Sequence, residues 1–214
     1  MITNYKALLF DLNGTMIDDM EYHVRAWHRI LNRFGANISM ERMKQESYGK
    51  NADVIERVLP GRFSPEEKKE MSLEKEADYQ ASFQPKLKLI KGLDEFLKRN
   101  KQAGIKMAIG SAAIMSNIDF VIDGLHIRNY FDVLVSADDV QHSKPSPETW
   151  LLCANRLQVA PNECLVFEDT PPGVVSAAEA DMKCIVITTM HEAGEFEKEN
   201  NILRFIRDYT ELEN

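Results

Sequence analysis

No apolar run in the 214-residue chain approaches the ~18–20 residues that a membrane span needs. Cysteine is scarce. Cys153, Cys164 and Cys184 are an odd number without Cys-x-x-Cys spacing, which leaves no disulfide framework and no structural zinc. Cys164 and Cys184 lie in apolar runs and read as small core residues. This usage fits a reducing compartment. No block of basic charge occurs, and 26 Lys and Arg against 34 Asp and Glu give a formal net charge of -8, which excludes an obvious nucleic-acid surface. The first residues carry no signal-peptide pattern, and there is no internal repeat or low-complexity segment. A cytoplasmic monomer with neither nucleic-acid nor membrane partner is expected. The length suits one α/β domain with a modest insertion, or two small domains, and 44% hydrophobic residues allow a substantial core.

What is present begins with Ala7-Leu8-Leu9-Phe10, an apolar run that stops at Asp11. Four consecutive apolar residues leave no solvent face and predict a buried strand. Val24, Trp27, Leu31 and Phe34 recur at helical steps and predict a helix over residues 21–34. Ser39 is a candidate N-cap, and Ser64-Pro65-Glu66-Glu67 is a capping-box helix start. Residues 16–84 show helices and no convincing strand. From residue 89 onward, strands alternate with helices: strands at 105–110, 131–135, 164–167 and 184–188, helices at 92–100, 112–123, 148–157 and 173–180. A parallel α/β sheet with an inserted helical domain follows, with boundaries at 1–15 plus 86–214 for the sheet domain and 16–85 for the insertion. The C-terminus from Arg207 is polar and predicts at most a weak helix.

Four features fall at the carboxyl ends of predicted strands or in the loops beyond them, where open α/β sheets place their ligand crevices. Asp11, before a tight turn at Asn13-Gly14, either caps that turn or faces a ligand. Ser111 ends the second strand and serves as N-cap or as phosphate ligand. Lys144, stiffened by Pro145 and Pro147, is a solvated loop lysine or an anion-binding one. Glu168-Asp169 ends the fourth strand. It is a surface acidic pair, or a set of hard oxygen ligands suited to Mg²⁺.

Together, in this order and on these elements, the four features resemble the motifs of the haloacid dehalogenase superfamily: Asp11 to Thr15 the first, Ser111 the second, Lys144 the third and Glu168-Asp169 the fourth. The insertion resembles the helical cap of the β-phosphoglucomutase-like subfamily, with Glu21-Tyr22-His23-Val24-Arg25-Ala26-Trp27 similar to its start. The resemblance implies a Rossmann-like core and a Mg²⁺-dependent enzyme acting on a small phosphorylated metabolite. Asp11 would attack phosphorus and carry it as an aspartyl phosphate. Asp11, the Asn13 backbone carbonyl, Asp169 and, directly or through water, Glu168 would hold the metal. Ser111, the Ala112 N–H and Lys144 would bind the transferring oxygens.

The departure is at Asn13, where the family carries the general acid/base Asp. A carboxamide neither donates nor takes up that proton. An engineered Asp→Asn exchange, a slow phosphatase that finds its acid elsewhere, or a phospho-ligand binder with little turnover would each account for it. In the cap, Tyr48-Gly49-Lys50-Asn51 interrupts the helical pattern, and Lys50 is a candidate for the far end of the substrate. β-Phosphoglucomutases carry a lysine and an arginine where Tyr48 and Ala52 stand here, which favours phosphatase over phosphomutase. His23 is a candidate substrate contact.

Overall fold

The computed structural model describes residues 2–196 and 199–212, and Glu213 and Asn214 of the expected C-terminal helix lie outside that range. The chain divides into two compact units, residues 1–18 with 88–214, and residues 19–87.

In the first unit the six strands are β1 (Ala7–Phe10), β2 (Lys106–Gly110), β3 (Val133–Val135), β4 (Cys164–Glu168), β5 (Lys183–Ile187) and β6 (Ile202–Ile206). They form one sheet in the order β3-β2-β1-β4-β5-β6, with every described pairing parallel. The chain winds outward from β1 to β3 on one side and from β4 to β6 on the other. The switch point therefore lies between β1 and β4, where doubly wound sheets bind ligands. The continuous apolar runs are explained by burial on both faces. Ala7 and Leu9 face a core with Trp150, Cys153, Val174 and Ala177. The alternate Phe10 meets Phe96, Phe131, Phe167 and Tyr209.

The sixth strand was not expected. Its burial pattern is partial, as befits an edge, and Arg204 interrupts the apolar run. The helix after β2 starts at Met115 rather than Ala112, and the C-terminal stretch forms a 3₁₀ turn at Tyr209–Leu212. All three cysteines are buried and free, as their spacing implied.

The second unit contains α1 (Met20–Arg33), α2 (Met40–Glu46), α3 (Asn51–Val58) and α4 (Pro65–Phe83). Ser39 caps α2 by accepting from the Arg42 N–H, and the capping box at Ser64 and Glu67 is formed. Val24, Trp27, Leu31, Met43, Ile55 and Met71 are among its core residues. Among the described residues no helix is long and apolar enough to cross a membrane.

Candidate active site

Strand register brings the site together. Phe10 pairs with Ile109 of β2 and with Phe167 of β4, so the residues that follow emerge side by side at the carboxyl end of the sheet. Asp11 donates its N–H to the Phe167 carbonyl at 3.0 Å, and Ser111 donates its own to Val135 at 3.0 Å. Asp11, Ser111, Glu168 and Asp169 are all buried at this end.

Lys144 is buried with them rather than solvated. Its Nζ donates to Asp11 Oδ1 at 2.6 Å, to Glu168 Oε1 at 2.6 Å and to the Gly110 carbonyl at 3.2 Å. It also lies 4.2 Å from the centroid of the Trp150 ring. Burial pulls the amine's pKa down, but the two carboxylates outweigh burial and raise it, so the ammonium is held charged.

Glu168 is fully engaged. Oε1 takes the Lys144 bond. Oε2 accepts from the Asp169 N–H at 2.9 Å, the Thr170 N–H at 3.1 Å and the Thr170 hydroxyl at 3.1 Å. Thr170 in turn caps the helix Pro171–Glu179 by accepting from the Gly173 N–H. A Cβ on Gly173 would lie 1.9 Å from the Glu168 carboxyl, so only glycine admits this approach.

Asp169 is the opposite case. Oδ1 accepts from the Thr15 hydroxyl at 3.2 Å, while Oδ2 is buried with no hydrogen-bond partner. An unmatched buried carboxylate oxygen is costly. Burial, and then the charges of Glu168 and Asp11, push the Asp169 pKa well up. Gly14, at φ +75°, presses its backbone against that oxygen, where a Cβ would sit 2.0 Å away. An unmatched carboxylate oxygen near two further acids that share the one ammonium of Lys144 fits a small hard cation. Among the described residues no three His, Cys, Asp or Glu side chains form a metal cluster.

Ser111 does not cap a helix. Its Oγ accepts from the Ala113 N–H at 3.1 Å within a loop that precedes the later helix start. Ala112 follows it, partly exposed. Asn13 is partly exposed and bridges to Ile17, with the Gly14 N–H donating to the Ile17 carbonyl at 2.8 Å.

The two remaining candidates belong to the second unit. Lys50 precedes α3 at its N-cap position. His23 is buried in a polar network not anticipated from the sequence. Lys75 Nζ contacts His23 Nδ1 at 2.6 Å and Glu76 Oε1 at 3.0 Å, and His23 Nε2 lies 3.3 Å from Asp19 Oδ2. Tyr79 donates to the same Asp19 oxygen and stacks on the His23 ring at 3.7 Å. Nothing in a Lys-Glu pair within a charged helix signals that both side chains are buried.

A family model described as haloacid dehalogenase-like hydrolase matches residues 8–187. A fructose-1-phosphate phosphatase of Escherichia coli strain K12 is 27% identical over 185 residues, 86% of this chain and 97% of that protein. A validoxylamine A 7'-phosphate phosphatase of Streptomyces hygroscopicus subsp. limoneus is 28% identical over 208 residues, 97% of this chain and 96% of that one. A β-phosphoglucomutase crystal structure from Clostridium difficile superposes with a TM-score of 0.85 at 26% identity, covering 97% of this chain and 93% of that one.

Proposed function

Because the chain belongs to the haloacid dehalogenase-like hydrolase family, we propose that it is a Mg²⁺-dependent phosphatase of a small phosphorylated metabolite, working through Asp11. At the coarser level it is a phosphatase or phosphomutase of the β-phosphoglucomutase-like type. The observation that carries the finer reading is the buried pairing of Lys144 with Asp11 and Glu168 beside the unmatched oxygen of Asp169.

Asp11 attacks phosphorus, a P–O bond forms to its carboxylate, and the bond to the substrate's leaving oxygen breaks, that oxygen taking its proton from the substrate itself or from another side chain. Water then cleaves the acyl phosphate, which releases inorganic phosphate and restores the carboxylate. The Lys144 ammonium, the Ser111 hydroxyl and the Ala112 N–H stabilise the transferring oxygens, the dominant kind of help in phosphoryl transfer. Asp11, the Asn13 carbonyl and Asp169 would hold Mg²⁺, which when bound would supply charge neutralisation on those oxygens. Glu168 anchors Lys144 through Oε1 and would lie near the metal, directly or through water. Asn13 provides its carbonyl and no proton.

Phosphate release from a panel of sugar phosphates with Mg²⁺ tests this in the parent, Asp11→Asn and Asn13→Asp. Asp11→Asn is expected to be inactive. Asn13→Asp is expected to gain about 10²-fold or more, the lower end of general acid/base assistance. Activity surviving in Asp11→Asn refutes the proposed nucleophile. The likeness to β-phosphoglucomutase supports one second reading, a phosphomutase, recognised by dependence on a sugar bisphosphate. Tight phospho-ligand binding with no turnover in either the parent or Asn13→Asp would instead mark a binding protein.

A further inference from the structure

Two side chains from the C-terminal part of the chain hold the loop that follows Asp11, and the chemistry above uses neither. The Thr189 hydroxyl donates to the Gly14 carbonyl at 2.6 Å. The Tyr209 hydroxyl donates to the Thr15 carbonyl at 3.1 Å. The loop adds bonds of its own: the Gly14 N–H to Ile17, and the Met16 N–H to Leu12, both at 2.8 Å.

A peptide unit is planar, so a bond to either its carbonyl or its N–H fixes the whole unit. Three successive units are held here. Ile17 holds the unit that contains the Asn13 carbonyl. Thr189 holds the next, between Gly14 and Thr15. Tyr209 and Leu12 hold the third. Thr15 also donates its hydroxyl to Asp169 Oδ1, and Gly14 is the residue pressed against Asp169 Oδ2.

The two anchors are rooted differently. Tyr209 is fully buried in the aromatic cluster of Phe10, Phe96 and Phe167, and its own N–H donates to the Lys91 carbonyl at 3.0 Å. Thr189 stands two residues beyond the end of β5, which is separated from β1 by β4. Its hydroxyl therefore ties the loop after β1 to the far side of the switch point, across the end of the strand that carries Glu168 and Asp169.

We infer that Thr189 is a positioning residue of the phosphoryl-transfer site. By holding the Gly14 carbonyl it keeps the Asn13 carbonyl and the Asp169 carboxylate in register as ligands of one cation, with Tyr209 holding the adjoining unit. This rests on the Mg²⁺-dependent reading above. Groups hydrogen-bonded directly to a metal ligand typically control metal affinity by 10- to 100-fold, and Thr189, one peptide unit removed from the Asn13 carbonyl, belongs at the lower end of that range.

Calorimetric Mg²⁺ titration of the parent, Thr189→Val, Thr189→Ser and Tyr209→Phe tests the inference. Valine keeps the shape and removes the donor, whereas serine keeps the donor. Thr189→Val is expected to bind Mg²⁺ about 10-fold or more weakly, with the metal-free thermal midpoint nearly unchanged. Thr189→Ser is expected to recover parental affinity. Tyr209→Phe should shift affinity in the same direction, and it serves where Thr189→Val folds poorly. A merely structural role would lower the thermal midpoint and leave Mg²⁺ affinity alone. Parental affinity in Thr189→Val, or in Tyr209→Phe where Thr189→Val folds poorly, overturns the inference while the metal reading stands. A parent that binds no Mg²⁺ overturns both.

Discussion

Replacing Lys144 by Met removes the cation that two buried carboxylates share. Its Nζ lies 2.6 Å from Asp11 Oδ1 and 2.6 Å from Glu168 Oε1, and the Asp169 carboxylate adds a third acid to the same region. Methionine fills the volume of the lysine stem, so the loss is one of charge rather than packing. Removing one partner of a buried ion pair costs about 3–5 kcal/mol, because the remaining charge has no compensation. The same argument sets the pH dependence. The parent's Lys144 pKa is raised in the fold, so its stabilisation is fully present below the unfolded value and is lost only as pH rises through the folded value. In the variant Asp169, already raised in the parent by burial and by its acidic neighbours, loses the cation that opposes that shift, so the variant's deficit should shrink as pH falls from 8 to 5. Urea unfolding without Mg²⁺, followed by Trp150 fluorescence in a Trp27→Phe background, reports on the first unit alone. Adding Glu168→Gln should cost less than the sum of the two single changes, since one stranded charge is removed. A Lys144→Met variant within about 1 kcal/mol of its parent at pH 7.5, the scale of an exposed ion pair, would refute the buried triad. A deficit that grows on acidification would refute the account of its charges.

Burial pushes the Cys153 thiol up to about 12 and the Cys184 thiol well above its usual value. Both stay protonated in the fold while the unfolded chain ionises from about 8.5, so the parent should lose stability relative to Cys153→Ala as pH rises from 8.5 to 10. A thiol reagent at pH 8 should find all three cysteines only in urea, and rapid labelling of the native protein would contradict their burial. Lys75 is shifted the other way, lowered chiefly by burial against the opposing charges of Glu76 and Asp19. Its stabilising share is fully present above the unfolded value and is lost as pH falls through the folded one. The parent should therefore gain on Lys75→Met between pH 7.5 and 10, and a gap that narrows in far-UV melts over that range would disprove it.

Residues legible in the sequence share one property: each stands at the end of an apolar run whose burial is locally determined. Asp11, Ser111 and Glu168 follow β1, β2 and β4 directly or close the strand, and parallel pairing in register makes neighbours of them. Lys144 was identifiable only through its resemblance to a known motif, because a lysine between serine and proline carries no local sign of burial. What escaped depends on tertiary contact. The edge strand β6 has too little apolar surface to form an uninterrupted run. Tyr209 lies in a polar C-terminal stretch, and its burial follows from aromatic partners more than 40 residues away. Thr189 is one of two adjacent threonines after β5, and only the fold brings one of them to the carbonyl of Gly14, 175 residues earlier. The Lys75–His23–Asp19 network fails to appear for a related reason: charged residues in a helix read as a solvent face until a second helix covers them.

On the proposed mechanism, position 13 separates two roles that one aspartate would combine. The backbone role survives, since the Asn13–Gly14 peptide is held by the Ile17 carbonyl whatever the side chain carries. The proton-transfer role does not, because a carboxamide cannot protonate the departing oxygen or activate water. The resulting loss is kinetic and depends on the leaving group. An alkoxide leaving a sugar phosphate needs a proton as the P–O bond breaks. A nitrophenolate departs as a stable anion and needs none. Formation of the Asp11 phosphoryl intermediate should therefore be slowed in the parent, relative to Asn13→Asp, by most of the 10²–10⁴-fold general-acid factor with an alkyl phosphate and by far less with p-nitrophenyl phosphate. Hydrolysis of the intermediate, which needs base help to water, should be slowed equally for both. Single-turnover measurement of the first step, with steady-state turnover for the second, separates these terms. If Asn13→Asp accelerates the first step equally for both leaving groups, the side chain acts by positioning or charge rather than by proton transfer. If it accelerates neither step, the acid comes from the substrate or from another side chain.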